Sequence, residues 1–229
     1  MFRRSLLLAA IGAVCFSTSL AHAAAVEGKQ YVKLETPIAN AQGTIIKLWS
    51  YSCPFCFRFD EAFDPEVMSR IANDSQLKLV PIHIESKGHH GRLASQILAC
   101  LWLEDEAAGR SVNDATSLYS RAKHAWYEGY HRQGQRWSNS SDGFVLAAAK
   151  ATGLNKDVLL NKADQPAAIQ LADEWKGLID VAKIQGIPGY VVNGRYLVMT
   201  KAIRGVDYFH LNQDILLIPG MLFSRGSQW

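Results

Sequence analysis

The chain has 229 residues, 24 Lys and Arg against 21 Asp and Glu, a formal charge of +3 and 48% hydrophobic residues. So even a balance gives no bulk argument for binding nucleic acid or an acidic membrane surface. Four cysteines over this length are too few for a disulfide-stapled scaffold, and one sizeable core is expected.

Arg3 and Arg4 precede a small and apolar run over residues 5–20, and Ala21-His22-Ala23 has the small–any–small pattern read by signal peptidase. Residues 1–23 are therefore expected to be a removed signal peptide, which sends the chain to an oxidising compartment. No later stretch reaches about 18 uninterrupted apolar residues, so a soluble mature protein is expected. Cleavage removes Cys15 and leaves Cys53, Cys56 and Cys100, so at least one thiol stands outside any structural disulfide.

Residues 31–34 and 44–51 read as strands, the second a buried run (Ile45, Ile46, Leu48, Trp49) interrupted by Lys47. Pro54 suits the first position of a helix. Phe55, Phe59, Phe63, Val67 and Ile71 then recur near a helical period until Asn73-Asp74 ends the run. Residues 76–84 form a further strand. From His89 to about Ile184 the pattern is helical, with segments over 94–103, 115–130, 143–152 and 158–161 and one long helix over 166–184. Strands return at 190–192 and 195–199 around Asn193-Gly194, the dipeptide that favours a two-residue type I′ turn. A closing helix is expected over 208–217. Strands at both ends and helices between them predict a single α/β domain over 24–229. Its core covers about 27–87 and 175–217, interrupted by a helical insertion over about 88–174.

Cys53-Pro54-Phe55-Cys56 opens the helix that follows a buried strand. With Cys53 near the N-cap, unpaired amides and the helix dipole favour its thiolate, and Cys56, one turn on, lies within disulfide reach. A zinc site would need about four ligands. Cys100 is single and His89-His90 are adjacent, so no metal is expected. Gln185-Gly186-Ile187-Pro188-Gly189 admits two readings: a proline that stops a helix, or a cis peptide at Ile187-Pro188 that leaves Ile187 backbone groups free for an extended substrate.

These residues resemble the DsbA family of thioredoxin-fold oxidants. The DsbL branch is the nearer likeness, carried by 47–51 with the Cys53–Cys56 motif, by 83–88, by Ala125-Trp126-Tyr127, by 182–188 and by 190–194. The resemblance spans about residues 27–205 and favours the cis reading of Pro188. It implies a thioredoxin-like fold with a large helical insertion. It further implies a periplasmic monomer that donates its Cys53–Cys56 disulfide to secreted proteins and needs no bound cofactor. A membrane quinone reductase of the DsbB or DsbI type would reoxidise it, and an arylsulfate sulfotransferase would be a dedicated substrate. A disulfide isomerase or reductant of the same fold, and a peptide-binding chaperone with a structural disulfide, are the alternatives.

Phe55 stands where DsbA has a histidine, and Lys47 where DsbA has a buried glutamate. Lys47 either snorkels to an exposed strand end or supplies an ammonium that tunes the thiolate beside Pro54 and Phe55. Cys100, in an apolar segment, reads as a buried inert thiol. Lys123, His124, Trp126, Tyr127, Tyr130, His131, Arg132, Arg136 and Trp137 form a basic–aromatic stretch. It is either a solvated face over core aromatics or a surface that selects a substrate.

Overall fold

The computed structural model describes residues 25–65, 72–73 and 77–201. Among these, β1 (Tyr31–Lys33), β2 (Thr44–Trp49), β3 (Lys78–His83), β4 (Gly189–Val192) and β5 (Tyr196–Val198) form one mixed sheet in the order β1-β5-β4-β2-β3. The branched run of β2 explains its central place: Ile45 through Trp49 are buried between parallel β3 and antiparallel β4. The edge strand β3 is blocked from further pairing. Pro81 has no amide, its carbonyl accepts from Tyr119 Oη at 2.8 Å, and the Leu79 carbonyl accepts from Asn113 Nδ2 at 2.8 Å.

The β4–β5 turn is as its dipeptide requires. Asn193 and Gly194 have φ of 51° and 65°, and the Arg195 amide closes the turn on the Val192 carbonyl at 3.0 Å. Gly194 also lies so close to the loop before β2 that a Cβ there would meet the Ile38 carbonyl oxygen at 2.7 Å.

Helix α1 (Pro54–Ala62) joins β2 to β3. Between β3 and β4 lie α2 (Gly91–Ala107), α3 (Leu118–Tyr127), a π-helical turn (Glu128–Arg132), α4 (Asp142–Thr152), α5 (Lys156–Ala163), α6 (Pro166–Lys176) and α7 (Ile179–Gln185). α2 is buried along most of its surface, from Ala94 through Trp102, and its apolar side chains join those of Ile46, Leu48, Ile82, Val191 and Leu197 on one sheet face. Its buried Asp105 accepts from the Leu118 and Tyr119 amides at 3.0 and 2.9 Å and from Arg110 Nε at 2.9 Å. A buried carboxylate is tolerable with such donors, and it fixes the N-terminus of α3 to α2. On the other sheet face Ile45, Leu79, Tyr190, Val192 and Val198 pack with Phe63.

Two expected helices are interrupted where their periodicity continues. The run expected to continue to residue 73 leaves the α-helix at Ala62, with Phe63 as C-cap. Pro65 has no amide to offer Glu61, and Asp64 and Pro65 are π-helical, with residues 72–73 again α-helical. Val67 and Ile71 lie outside the described residues. The long helix over 166–184 is divided into α6 and α7 at Gly177, whose amide reaches the Asp173 and Glu174 carbonyls at 3.3 and 3.2 Å. A glycine there weakens the helix, and the turn tightens to i→i+3 bonding before the chain resumes at Ile179. The closing helix expected over 208–217 lies outside the described residues.

Candidate active site

At the end of β2 the chain turns through Ser50-Tyr51-Ser52, closed by the Cys53 amide on the Ser50 carbonyl at 3.1 Å. Cys53 is the N-cap of α1: its backbone is extended (φ −85°, ψ 114°), and its Sγ accepts from the Cys56 amide at 3.2 Å. Pro54 follows at the first helical position, where a missing amide leaves nothing unpaired. Phe55 points outward and is 58% exposed, whereas Cys56 has no exposed surface and Cys53 retains 8%. The Ile187–Pro188 peptide is cis, so this proline does more than stop α7. Cys53 Sγ lies 3.5 Å from the Ile187 carbonyl oxygen, which brings the β4 entry directly against the cysteine pair.

This geometry separates the two thiols. Cys53 accepts hydrogen bonds from the Cys56 thiol and from the Cys56 and Phe55 amides, with a smaller attraction from Lys47; against the effect of burial, its pKa falls from 9.0 to about 7. Burial, followed by the hydrogen bond to Cys53 and the proximity of its charge, pushes Cys56 well above the usual thiol range. One sulfur can be a thiolate near neutral pH while its partner keeps its proton.

Lys47 does not snorkel. It is 3% exposed and bonds Asp60 at 3.2 Å and Asp64 on α1's face of the sheet. Burial opposes the ammonium, but Asp64 and Asp60 outweigh it and hold the lysine above its ordinary range. Asp60 also accepts from Lys123 Nζ at 2.7 Å and pairs with His124 Nε2 at 3.1 Å, while Asp64 accepts from Tyr190 Oη at 2.7 Å. Burial would raise the Asp60 pKa, yet Lys47, Lys123 and His124 hold it well below the carboxylate range. Lys47 favours the thiolate of both cysteines, but it is the weakest of the influences on Cys53.

Asp60, Asp64 and Tyr190 were not singled out from the sequence, although a signal for the two carboxylates was present. Cys56, Asp60 and Asp64 recur at spacing four, one face of a helix, opposite a lysine in a buried strand. The basic–aromatic stretch divides. Lys123 joins the buried cluster and the exposed His124 reaches it from outside, Trp126 and Tyr127 belong to the core with Tyr130 and Trp137 packed against it, and His131, Arg132 and Arg136 lie nearer the surface. There Arg132 lies 5.7 Å from the Phe57 ring centroid and Arg136 4.3 Å from that of Tyr130, while Arg58 lies 5.5 Å from Phe55. Cys100 is 4% exposed and burial pushes its pKa up to about 12. Among the described residues no three His, Cys, Asp or Glu side chains gather as a metal would require.

A mixed sheet that presents Cys-x-x-Cys at a helix N-terminus, against a cis-proline entering the neighbouring strand, defines a thioredoxin-like thiol:disulfide oxidoreductase. The chain is 41% identical over 209 residues to the thiol:disulfide interchange protein DsbL of Escherichia coli O6:H1, spanning 90% of this chain and 91% of that one. It belongs to the DsbL family of thiol:disulfide interchange proteins. Similarity to DsbL of Lelliottia amnigena is 40% over 206 residues, 89% and 90% of the two chains. The crystal structure of DsbL from Salmonella enterica serovar Typhimurium superposes with a TM-score of 0.74 at 38% identity, over 85% of this chain and 98% of that one. No protein-family model matches the chain.

Two outcomes follow from these electrostatics. The Cys53 pKa is depressed on folding from 9.0 to about 7, so its contribution to the reduced protein is full above pH 9 and lost as pH falls through 7. Discounted for partial exposure, it amounts to about 2 kcal/mol. Urea titrations of reduced protein should show that gain between pH 7 and 9, and Cys53→Ser should not. Separately, Lys47→Met leaves two buried carboxylates short of a cation and should cost about 3 kcal/mol. An unchanged urea midpoint would show that the cluster does not hold α1 to the sheet.

Proposed function

We propose that the protein acts as an oxidant, donating a Cys53–Cys56 disulfide to secreted proteins in the periplasm after removal of residues 1–23. The observation that carries this reading is the Cys53 Sγ at the N-cap, hydrogen-bonded by the Cys56 amide at 3.2 Å. A fold that stabilises the Cys53 thiolate stabilises the dithiol state, and so makes the disulfide more ready to accept electrons.

The exchange has two displacements. A substrate thiolate attacks Cys53 Sγ; the new S–S bond forms as the Cys53–Cys56 bond breaks, and the electron pair passes to Cys56 Sγ, which takes a proton. A second substrate thiol, deprotonated, then attacks the substrate sulfur of the mixed disulfide, and Cys53 leaves as the thiolate its N-cap already stabilises. The substrate ends oxidised by two electrons and the cysteine pair reduced. Ile187, against Cys53, offers its backbone to an extended substrate segment. No bound cofactor is required, and a membrane quinone reductase of the DsbB or DsbI type would restore the disulfide. Arg58 and Arg136 favour acidic surfaces, whereas Arg132 is paired with Glu61 and Glu128; the first two arginines suit a dedicated substrate such as an arylsulfate sulfotransferase.

Magnitudes set the expectation. The stabilisation of the Cys53 thiolate, about 2 kcal/mol with the Cys56 thiol as its largest source, corresponds to roughly 40 mV at about 30 mV per 1.4 kcal/mol. DsbA itself is about 150 mV more oxidising than thioredoxin and has a nucleophile pKa near 3.5. These hydrogen bonds to Cys53 therefore account for part of an oxidant's potential, with Lys47 a minor contributor. Equilibration with glutathione, followed by alkylation and mass measurement, should give a potential near −120 mV. A value near −270 mV, that of thioredoxin, would instead make the protein a reductant or isomerase.

A further inference from the structure

Past Tyr127 the chain continues through the π-helical turn Glu128–Arg132, closed by the Gln133 amide on the Glu128 carbonyl at 3.1 Å. A π turn holds one residue more than an α turn, re-aims the side chains that follow it, and occurs frequently at functional sites. Here the re-aimed side chain is His131. Its Nε2 lies 2.8 Å from the Tyr51 carbonyl oxygen; a carbonyl only accepts, so Nε2 carries the hydrogen and donates. Its ring stacks on Phe57 with centroids 4.8 Å apart and planes within 5°.

Both contacts fall on the redox turn. Tyr51 lies two residues before Cys53 and Phe57 four after it, so a single imidazole touches the chain on each side of the nucleophile. The Tyr51 ring is anchored separately. It has no exposed surface, packs on Phe144 at 4.9 Å, and its Oη accepts the His90 amide at 3.0 Å. His90 is itself held, its Nε2 2.7 Å from the Trp137 carbonyl. Trp137 sits in a slot cut by Gly129 and Gly143, where a Cβ would meet its ring at 2.7 and 2.9 Å. With the ring fixed, the Tyr51–Ser52 peptide keeps its rotational freedom, and His131 holds its oxygen.

We propose that His131 is a positioning residue for the Cys53 thiolate, its Nε2–H fixing the Tyr51–Ser52 peptide so that Cys53 Sγ stays aligned with the Cys56 amide. Without that donor the peptide rotates, the N-cap alignment is averaged away, and an uncompensated carbonyl dipole is left close to the thiolate. Each effect raises the energy of the thiolate and lowers the oxidising power of the pair. The inference rests on the reading of Cys53 as the stabilised thiolate.

Two substitutions separate the roles of the ring. His131→Phe keeps the stack on Phe57 and removes the donor, whereas His131→Gln keeps an N–H donor and removes the stack. Thiolate absorbance titrations and glutathione equilibria are measured on both variants and on the parent. For His131→Phe, the Cys53 titration should shift upward and the equilibrium constant for reduction of the pair by glutathione should fall about three- to tenfold; His131→Gln should stay close to the parent. A His131→Phe variant that matches the parent overturns the inference, as does an equal loss in both variants, which would assign the effect to stacking. If the parent itself shows no depressed Cys53 titration, the thiolate reading fails instead.

Discussion

The chemistry depends on the position of Cys53 at the N-cap of α1, where its Sγ accepts from the Cys56 thiol and from the Cys56 and Phe55 amides. That position exists because the chain leaves a buried strand and enters a helix within four residues, which leaves the first amides of α1 without carbonyl partners. A sulfur at that point gains both the amides and the positive end of the helix dipole, while a sulfur one turn later gains neither and is buried. The difference between Cys53 and Cys56 is therefore a property of position on the helix, and proline between them assists by fixing the first helical φ without wasting a donor.

Position alone would fail if α1 could shift on the sheet. Lys47, Asp60, Asp64, Lys123 and Tyr190 tie β2, α1, α3 and β4 together beneath the sulfurs. A buried ionic cluster is a costly means of attachment, since desolvation offsets much of the attraction. The attraction of Lys47 for the Cys53 thiolate is the smallest of the influences on that sulfur. Lys47 therefore anchors the helix far more than it tunes the thiolate. From the other side the π turn and its histidine hold the strand–helix turn, so the nucleophile is braced both from below and ahead.

Much of this was legible in the sequence. Apolar runs located β2 and β3, Asn193-Gly194 specified its turn, and the spacing of Cys53 and Cys56 with Pro54 between them located the N-cap. What escaped were features set by tertiary partners. Local breaks escaped as well: the α-helices are interrupted before Pro65 and at Gly177 although their apolar periodicity continues, because a missing amide or a weak helix former overrides a hydrophobic face. The choice between a helix-stopping and a cis proline depended on what lay opposite Ile187, and no local pattern carries that. Lys47 read either as a strand-end lysine or as a thiolate-tuning ammonium, because its partners, 13 and 17 residues on, became partners only once α1 folded back over β2. His131 read as one member of a basic stretch, since only the π turn distinguishes it from its neighbours.

The central claim is that Cys53 is a thiolate at neutral pH while Cys56 remains a thiol. Alkylation of the reduced protein across pH, with each modified cysteine located by peptide mass, tests it directly. The account predicts that Cys53 alone reacts below pH 8, with a rate that rises through a midpoint near 7, and that Cys56 and Cys100 stay unmodified in the folded chain. Comparable modification of Cys56, or a Cys53 midpoint near 9, would contradict it.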